Sequence, residues 1–483
     1  MSSIITGLMF TLIVTRQLTP NEFGTWGLIN GIFIYALAVH PVISYWATRE
    51  IARGDDSGRS VFVFSNIFSI IGLVVYIIFS IYISHESDAN LDLILFAAIL
   101  IPAMFINESL TALNLGHKPQ NISFGFLAFE MTKVPLGFLL VYFLQMGLSG
   151  AIIATLGAYV SSILIMWIKS RSLLQGKVKI KFVKKWLKLF WIPTFRNIPS
   201  LLSMSDVIVF SLITGSVSGV AYYTAAKAVG FLVNHTRAFS EALYPKLLES
   251  EEKEYLGKNL EKFFYFSLPL VAISIVFSKP ALFALNPIYT IAETVVIILA
   301  IRSLLTTLGK ILFNAMQGIE KVDLNPNSTF KDYLKSKLIF YTTFQLIRNI
   351  IYFGSLVIIL YLIHAEKSEI ELVNYWAMIG LIIEIPLVLY IIKLTKQNFN
   401  LNVNWKSLLK YLFSTIIVFS ILYIIMSKFL IYDESIFNFL PQLLIFIIMG
   451  ALGYLGMTYL IDKDTKILIK GIINELKSKG NRN

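Results

Sequence analysis

The chain contains no cysteine, which excludes disulfides, thiolate metal sites and thiol nucleophiles. It is poor in charge, 14% of residues against about 25% in soluble domains. Acids are the scarcer sign, 29 against 41 basic residues, for a formal net charge of +12. The 5 histidines form no ligand cluster of recognisable spacing. P-loop, G-x-S-x-G and H-E-x-x-H motifs are all missing, and with them the nucleotide, acyl-transfer and zinc hydrolase chemistries they serve. Loops reach only about twenty residues, too short for a catalytic domain. No basic n-region or A-x-A-like site accompanies the first apolar stretch, so no cleavable signal peptide is expected. The sequence therefore reads as non-enzymatic, without a bound cofactor or metal.

What is abundant is apolar sequence, 56% of residues, with a mean hydropathy of +0.72. A membrane span needs about 20 mainly apolar residues. That rule gives about fourteen spans, so the expected fold is an all-α polytopic membrane protein. In order they are 3–18, 24–48 (interrupted at His40-Pro41), 61–84, 91–115, 122–143, 150–168, 190–214, 219–245, 263–278, 291–316, 338–363, 373–392, 408–426 and 439–461. Most basic residues fall in one set of alternate loops; the other set holds only Arg16, Lys279, Lys367 and Lys428. The positive-inside rule then places the basic loops and both termini in the cytoplasm, in a plasma membrane. Basic charge distributed in this way has lipid headgroups, not nucleic acid, as its counterpart.

The spans divide into an N-terminal six-helix lobe (1–168), a basic cytoplasmic linker (169–189), a second six-helix lobe (190–392), two extra helices (393–461) and an amphipathic cytoplasmic tail (462–483). The halves echo each other weakly. LTPNEFG (18–24) and ITGSVSG (213–219) each follow the first span of a half, with Thr19 matching Thr214 and Gly24 matching Gly219. This fits a parallel duplication, a common transporter plan.

Ionisable residues at membrane depth are costly and face a bundle interior or a cavity. The stretch from Gly219 to Pro245 carries Lys227, Asn234 and Glu241 seven residues apart, on one face of a continuous helix. Asp206 lies at the depth of Lys227 on the preceding span and is expected to pair with it, while Arg196 matches Arg237 and Glu241. Arg302, Arg348 and Glu384 fall near mid-depth, and Glu130 and Lys133 sit one turn apart beside Pro135. Basic groups outnumber acids at depth. Such a cavity suits an anionic passenger such as a phosphate or pyrophosphate, for which the arginine fork is well shaped. The candidate substrate-binding cations are Lys133, Arg196, Lys227, Arg237, Arg302 and Arg348. Glu130, Asp206, Glu241 and Glu384 are candidates for ion-pair switching or for coupling to a proton or sodium ion. Helix-locking pairs are the competing reading for the same residues.

Three segments carry a family resemblance: TRQLTPNEFGTWGLINGIF from Thr15, TREIARGDDSGRS from Thr48 and EALYPKLLE from Glu241. They resemble the polysaccharide-biosynthesis proteins, the O-antigen-type flippases of the multidrug/oligosaccharidyl-lipid/polysaccharide superfamily. The basic lead-in usual before the first helix is missing, so a shortened first helix or an earlier start is expected. The resemblance implies two six-helix lobes around a cationic cavity, two further helices and alternating access. It implies a polyprenyl-phosphate- or pyrophosphate-linked glycan as passenger and other polysaccharide-assembly proteins as partners. Two alternatives stay open: a cation-coupled multidrug exporter of the same fold, and a non-transporting scaffold for envelope assembly.

Overall fold

In a computed structural model, residues 2–240, 255–320, 336–399 and 403–467 are described. They are helical, as the composition requires. Among the described residues, eleven helices are long and apolar enough to cross a membrane, or twelve if a pair bent by 43° counts as one span. The chain is a multi-pass membrane protein. Large apolar side chains cover its outer surfaces, as lipid-facing helices require.

By contact clustering the chain forms two units, Met1–Thr224 with Gln345–Trp376, and Ala225–Phe344 with Ala377–Asn483. The first unit contains α1 (Ser2–Gln17), α2 (Pro20–Ala36), α3 (Pro41–Ala52), α4 (Gly58–Glu86), α5 (Leu91–Ala97), α6 (Leu100–His117), α7 (Gln120–Gly137), α8 (Gly147–Ser170), α9 (Ile180–Lys188), α10 (Trp191–Ser203) and α11 (Asp206–Thr214). α12 (Ser218–Gly230) begins there as well. The second unit holds α13 (Tyr255–Val276), α14 (Ser278–Leu285), α15 (Glu293–Gly318), α18 (Trp405–Phe429) and α19 (Ile436–Ile461). α16 (Lys337–Ile363) and α17 (Glu369–Asn398) contribute segments to each.

Twelve of the fourteen expected spans thus have counterparts. The other two fall short by length. α1 has 16 residues, and α12 has 13 before the chain tightens to a 3-10 helix over Phe231–Ser240. The change begins at Gly230, where a neighbouring helix comes close. A Cβ there would collide with Leu299 Cβ and the Val296 carbonyl, so the backbone itself lies against α15. With three residues per turn instead of 3.6, the seven-residue face expected through Lys227 and Asn234 does not continue past Gly230. Glu241 lies outside the described residues.

In the first unit α6 packs against α3, α4 and α8, and α7 runs along α8. Ile43, Leu110, Leu113, Met166 and Trp186 form its core. Pro135 interrupts α7, which continues as a π-helical turn over Phe138–Phe143. The two echoing turns meet in this unit. Thr19 and Glu22 close a reciprocal capping box at the start of α2. Gly24 lies so near Val217 that any Cβ would overlap its carbonyl oxygen. Asp88 accepts from Asn21 Nδ2 (3.1 Å) and from the Val217 N–H (2.8 Å), and Glu369 accepts from Ser216 and Ser218.

The basic segment 169–189 is folded onto the same unit. Its amphipathic helix α9 buries Phe182, Val183 and Trp186. Glu50, 1% exposed at the end of α3, accepts from Lys185 Nζ (3.0 Å) and Trp186 Nε1 (3.1 Å). Lys179 pairs with Asp56 at 2.8 Å.

In the second unit α13 and α15 pack together, and α18 and α19 are joined to α13 by an aromatic cluster of Tyr265, Tyr411, Phe419, Phe439 and Tyr454. Beyond the end of α19, Asp462 accepts from Ser407, Tyr411 and Thr465, with Lys410 Nζ at 3.4 Å.

Candidate functional site

Asp206 stands first in α11, after the break that follows α10. Proline makes that region irregular. Pro199 has no N–H, so the helical bond to the carbonyl four residues earlier cannot form. Asn349 of α16 donates to the Pro199 carbonyl at 2.5 Å.

The Asp206 carboxylate is buried at 6% exposure. Its Oδ2 accepts from the Tyr352 hydroxyl (3.0 Å) and from Trp376 Nε1 (3.3 Å), while Oδ1 accepts from the Val207 N–H (3.0 Å). Trp376 Nε1 also donates to Tyr352 Oη at 2.9 Å. The indole is fully buried, stacked on Tyr223 at 3.6 Å between centroids and on Phe210 at 4.9 Å. Next to the carboxylate, Tyr35 is hydrogen-bonded to Ser205. Sequence reasoning expected Lys227 as the partner of Asp206; the side-chain hydrogen bonds that Asp206 receives come from a tyrosine and a tryptophan. Two aromatic donors satisfy a buried carboxylate without a second ion to desolvate. Neither Tyr352 nor Trp376 could be found by searching for charges. The available signal was weaker: a Tyr or Trp in the interior of a span needs a partner for its polar atom.

A cavity of about 540 Å³ lies in the same unit between α3, α6 and α10. Glu108 and Asn197 line it together with Tyr45, Arg49 and Thr111. Arg49 Nη1 donates to the Tyr45 hydroxyl one turn earlier on α3, at 2.7 Å.

The Lys133 ammonium sits over the rings of Phe10 (4.3 Å) and Phe129 (5.4 Å), a cation–π setting. Glu130 is 9% exposed, and its Oε2 accepts no hydrogen bond.

In the second unit Arg302 is 8% exposed on α15. Its guanidinium lies against Gly380 of α17, where any Cβ would overlap the guanidinium carbon and Nη1. The glycine makes room for the arginine, and no charge search would have singled it out. Glu384, one turn further along α17, is 5% exposed. Lys227 is half-buried with its ammonium 5.5 Å from the centre of the Phe231 ring. Asn234 Oδ1 accepts from Ser303 and Thr307, which fixes the 3-10 segment to α15. Arg237 is exposed. Back in the first unit, Arg348 Nη1 donates to Gln345 Oε1 at 3.0 Å. The Arg196 side chain lies outside the described residues. Among the described residues no three His, Asp or Glu side chains gather as a metal site.

No protein-family model matches the chain, and no curated protein matches it. Solved structures do. The chain is similar to "Lipid II flippase MurJ, inward closed conformation", with a TM-score of 0.66 and 17% identity over 96% of this chain and 97% of that one. It is similar to the inward-facing conformation of a multidrug resistance MATE family transporter of the MOP superfamily, with a TM-score of 0.59 and 17% identity over 82% of this chain and 95% of the other. An outward-facing structure of such a transporter gives 0.50 and 17%, over 82% and 92%. At these identities the likeness is one of fold: the chain has the MurJ/MATE-like fold. The MATE neighbours are named as members of the MOP superfamily, the one the sequence motifs resemble; the narrower O-antigen-type assignment has no match among the structures named here.

Proposed function

We propose that this protein is a flippase for a lipid-linked oligosaccharide or polysaccharide repeat unit, carrying it from the cytoplasmic to the outer leaflet by alternating access. The observation that carries the reading is Arg302, a nearly buried arginine on a membrane-spanning helix, seated on a glycine that leaves space for its guanidinium. An arginine at this depth costs several kcal/mol, a cost expected of a functional group more than of a filler. A phosphate or pyrophosphate is the passenger group that the planar arginine fork fits best. The flippase among the structural neighbours supports the same class, since its likeness extends over nearly all of this chain.

In this reading Arg302, Arg348, Lys227 and Arg237 engage the phosphate groups, with Lys133 and Arg196 beside the path. The lipid tail stays in the bilayer while the sugars cross. Glu130, Asp206, Glu241 and Glu384 are the groups for proton or sodium coupling. Glu130 has the support that one of its oxygens has no hydrogen bond to break, a property Glu384 Oε2 shares.

The test is leaflet assignment in cells depleted of the protein. Finished glycolipid should accumulate facing the cytoplasm. Wild-type protein should reverse this, and Arg302→Ala combined with Arg348→Ala should not, although the variant still inserts. Reversal by the variant would remove these arginines from the site. An unchanged glycolipid distribution would end the flippase reading.

A further inference from the structure

At the basic end of the first unit, α4 and α8 meet through an edge-to-face contact of Phe62 with Trp167, centroids 4.9 Å apart. Beside it lies a cavity of about 700 Å³ lined by Arg59, Arg171, Trp167, Ile168 and Leu174, among others. Arg59 belongs to the first turn of α4, and Arg171 opens the short 3-10 turn after α8.

Their positions are fixed by two close backbone approaches. A Cβ on Gly58 would overlap the Leu173 carbonyl oxygen, and one on Gly176 would overlap the Asp56 carboxylate. The Lys179 N–H donates to Ser60 Oγ at 2.8 Å, closing the segment onto α4. Two neighbouring acids are already committed, Asp56 to Lys179 and Glu50 to Lys185. Neither arginine has a carboxylate or hydrogen-bond partner among the described residues. Away from the arginines, Ile67, Ile70, Ile71, Val74 and Ile78 stand exposed along α4, and Val160, Leu164 and Ile168 along α8. Their spacing of three and four gives one apolar stripe per helix; that of α8 reaches Ile168 beside Arg171, and that of α4 begins at Ile67, two turns beyond Arg59.

We infer that this cavity is a binding site for an anionic phospholipid of the basic-side leaflet, with its phosphate between Arg59 and Arg171 and an acyl chain along the adjoining apolar stripes. Arginine forks match phosphate oxygens in pairs. A tryptophan at headgroup level is the usual companion of such a position. The apolar stripes favour a lipid over free phosphate, which has no use for them. The site is separate from the proposed transport residues and holds whether or not the passenger is a lipid-linked glycan.

The test uses the full chain in nanodiscs of phosphatidylcholine doped with acyl-brominated phosphatidylglycerol or acyl-brominated phosphatidylcholine. Quenching of Trp167 is read as the difference from the Trp167→Phe protein. Two arginines near a membrane surface are expected to favour the anionic lipid by roughly thirtyfold. The Arg59→Gln, Arg171→Gln double variant should bring it to the phosphatidylcholine level, and each single variant should lose roughly fivefold. Lys184→Gln with Lys188→Gln, exposed lysines of the same basic segment, should leave the preference in place. Equal quenching by the two lipids in the wild type would overturn the site. So would a preference that survives the arginine substitutions, or one that falls equally with the lysines, which would mark diffuse charge. Displacement of the lipid by excess inorganic phosphate would overturn the lipid assignment in favour of a free anion.

Discussion

Asp206 and Glu130 are both carboxylates inside membrane-spanning helices of one unit, and both are nearly buried. Their surroundings differ. Asp206 is gripped by Tyr352, Trp376 and its own helix N-terminus, with aromatic rings packed behind the donors. Glu130 has an oxygen without a hydrogen bond, and the nearby Lys133 spends its charge on two phenylalanine rings. Burial alone therefore does not separate a structural acid from a mobile one. The donors around it do, because a buried group with satisfied partners is costly to disturb and an orphaned one has little to lose.

The largest effect expected from this contrast is at Asp206. Asp206→Ala leaves the Tyr352 hydroxyl and the Trp376 N–H without their acceptor. The loss should be about 2–3 kcal/mol, tempered by the bond the two donors keep with each other. Titration of the purified protein with sodium dodecyl sulfate, read by far-UV circular dichroism, measures it. A shift indistinguishable from that of Glu130→Ala would erase the distinction.

Asp462 extends the comparison to a carboxylate outside the spans. Burial pushes it up, but hydrogen bonds from the Thr465 backbone, Ser407, the Thr465 hydroxyl and Tyr411 outweigh burial and hold it below the usual carboxylate range. A depressed folded-state pKa contributes stability above the unfolded value, near pH 4, and that stability is lost as pH falls through the folded value. Asp462→Asn should therefore cost roughly 1–2 kcal/mol at pH 7. The gap from wild type should close below about pH 4 as the wild-type carboxyl protonates. A gap that stays constant from pH 6 to pH 3 would show that the charge of Asp462 is not what stabilises.

How much of this was legible beforehand depends on whether a feature lies in one segment or is made by two. The spans could be read because each is a local apolar run, and the His40-Pro41 interruption appears as the turn between α2 and α3. Burial of Asp206, Glu130, Arg302 and Glu384 followed from their depth within those runs. The partners did not follow. Trp376 and Tyr352 look like ordinary apolar filling until a fold brings them to Asp206, and Gly380 announces nothing until an arginine occupies its missing side chain. The close approach at Gly230 was hidden for the same reason, since neighbouring α15 is the other party to it. The basic segment 169–189 was read by its charge alone. Its structure is set by the alternation of Phe182, Val183 and Trp186 with lysines and by two acids over a hundred residues away.

Tyr352→Phe cuts the Asp206 site more finely. It removes one hydroxyl and leaves Trp376 Nε1 to serve the carboxylate, so about 1 kcal/mol of destabilisation is expected in the same titration. A loss as large as that of Asp206→Ala would mean that the tyrosine, not the network, holds the site.

Glu130→Gln should have the smallest effect on stability, below about 0.5 kcal/mol, because the orphan oxygen gives up no hydrogen bond and Lys133 keeps its aromatic contacts. Its consequence should appear in transport instead. If Glu130 takes up and releases a coupling proton, the glutamine protein reconstituted in vesicles should lose the pH dependence of flipping while retaining its fold. Asp206→Asn, at a carboxylate fastened by two aromatic donors, should leave that dependence largely in place and lower stability. The opposite assignment, with pH dependence lost at Asp206 and kept at Glu130, would mean that the well-satisfied carboxylate is the one that moves, and that its hydrogen bonds from Tyr352 and Trp376 are remade in each cycle.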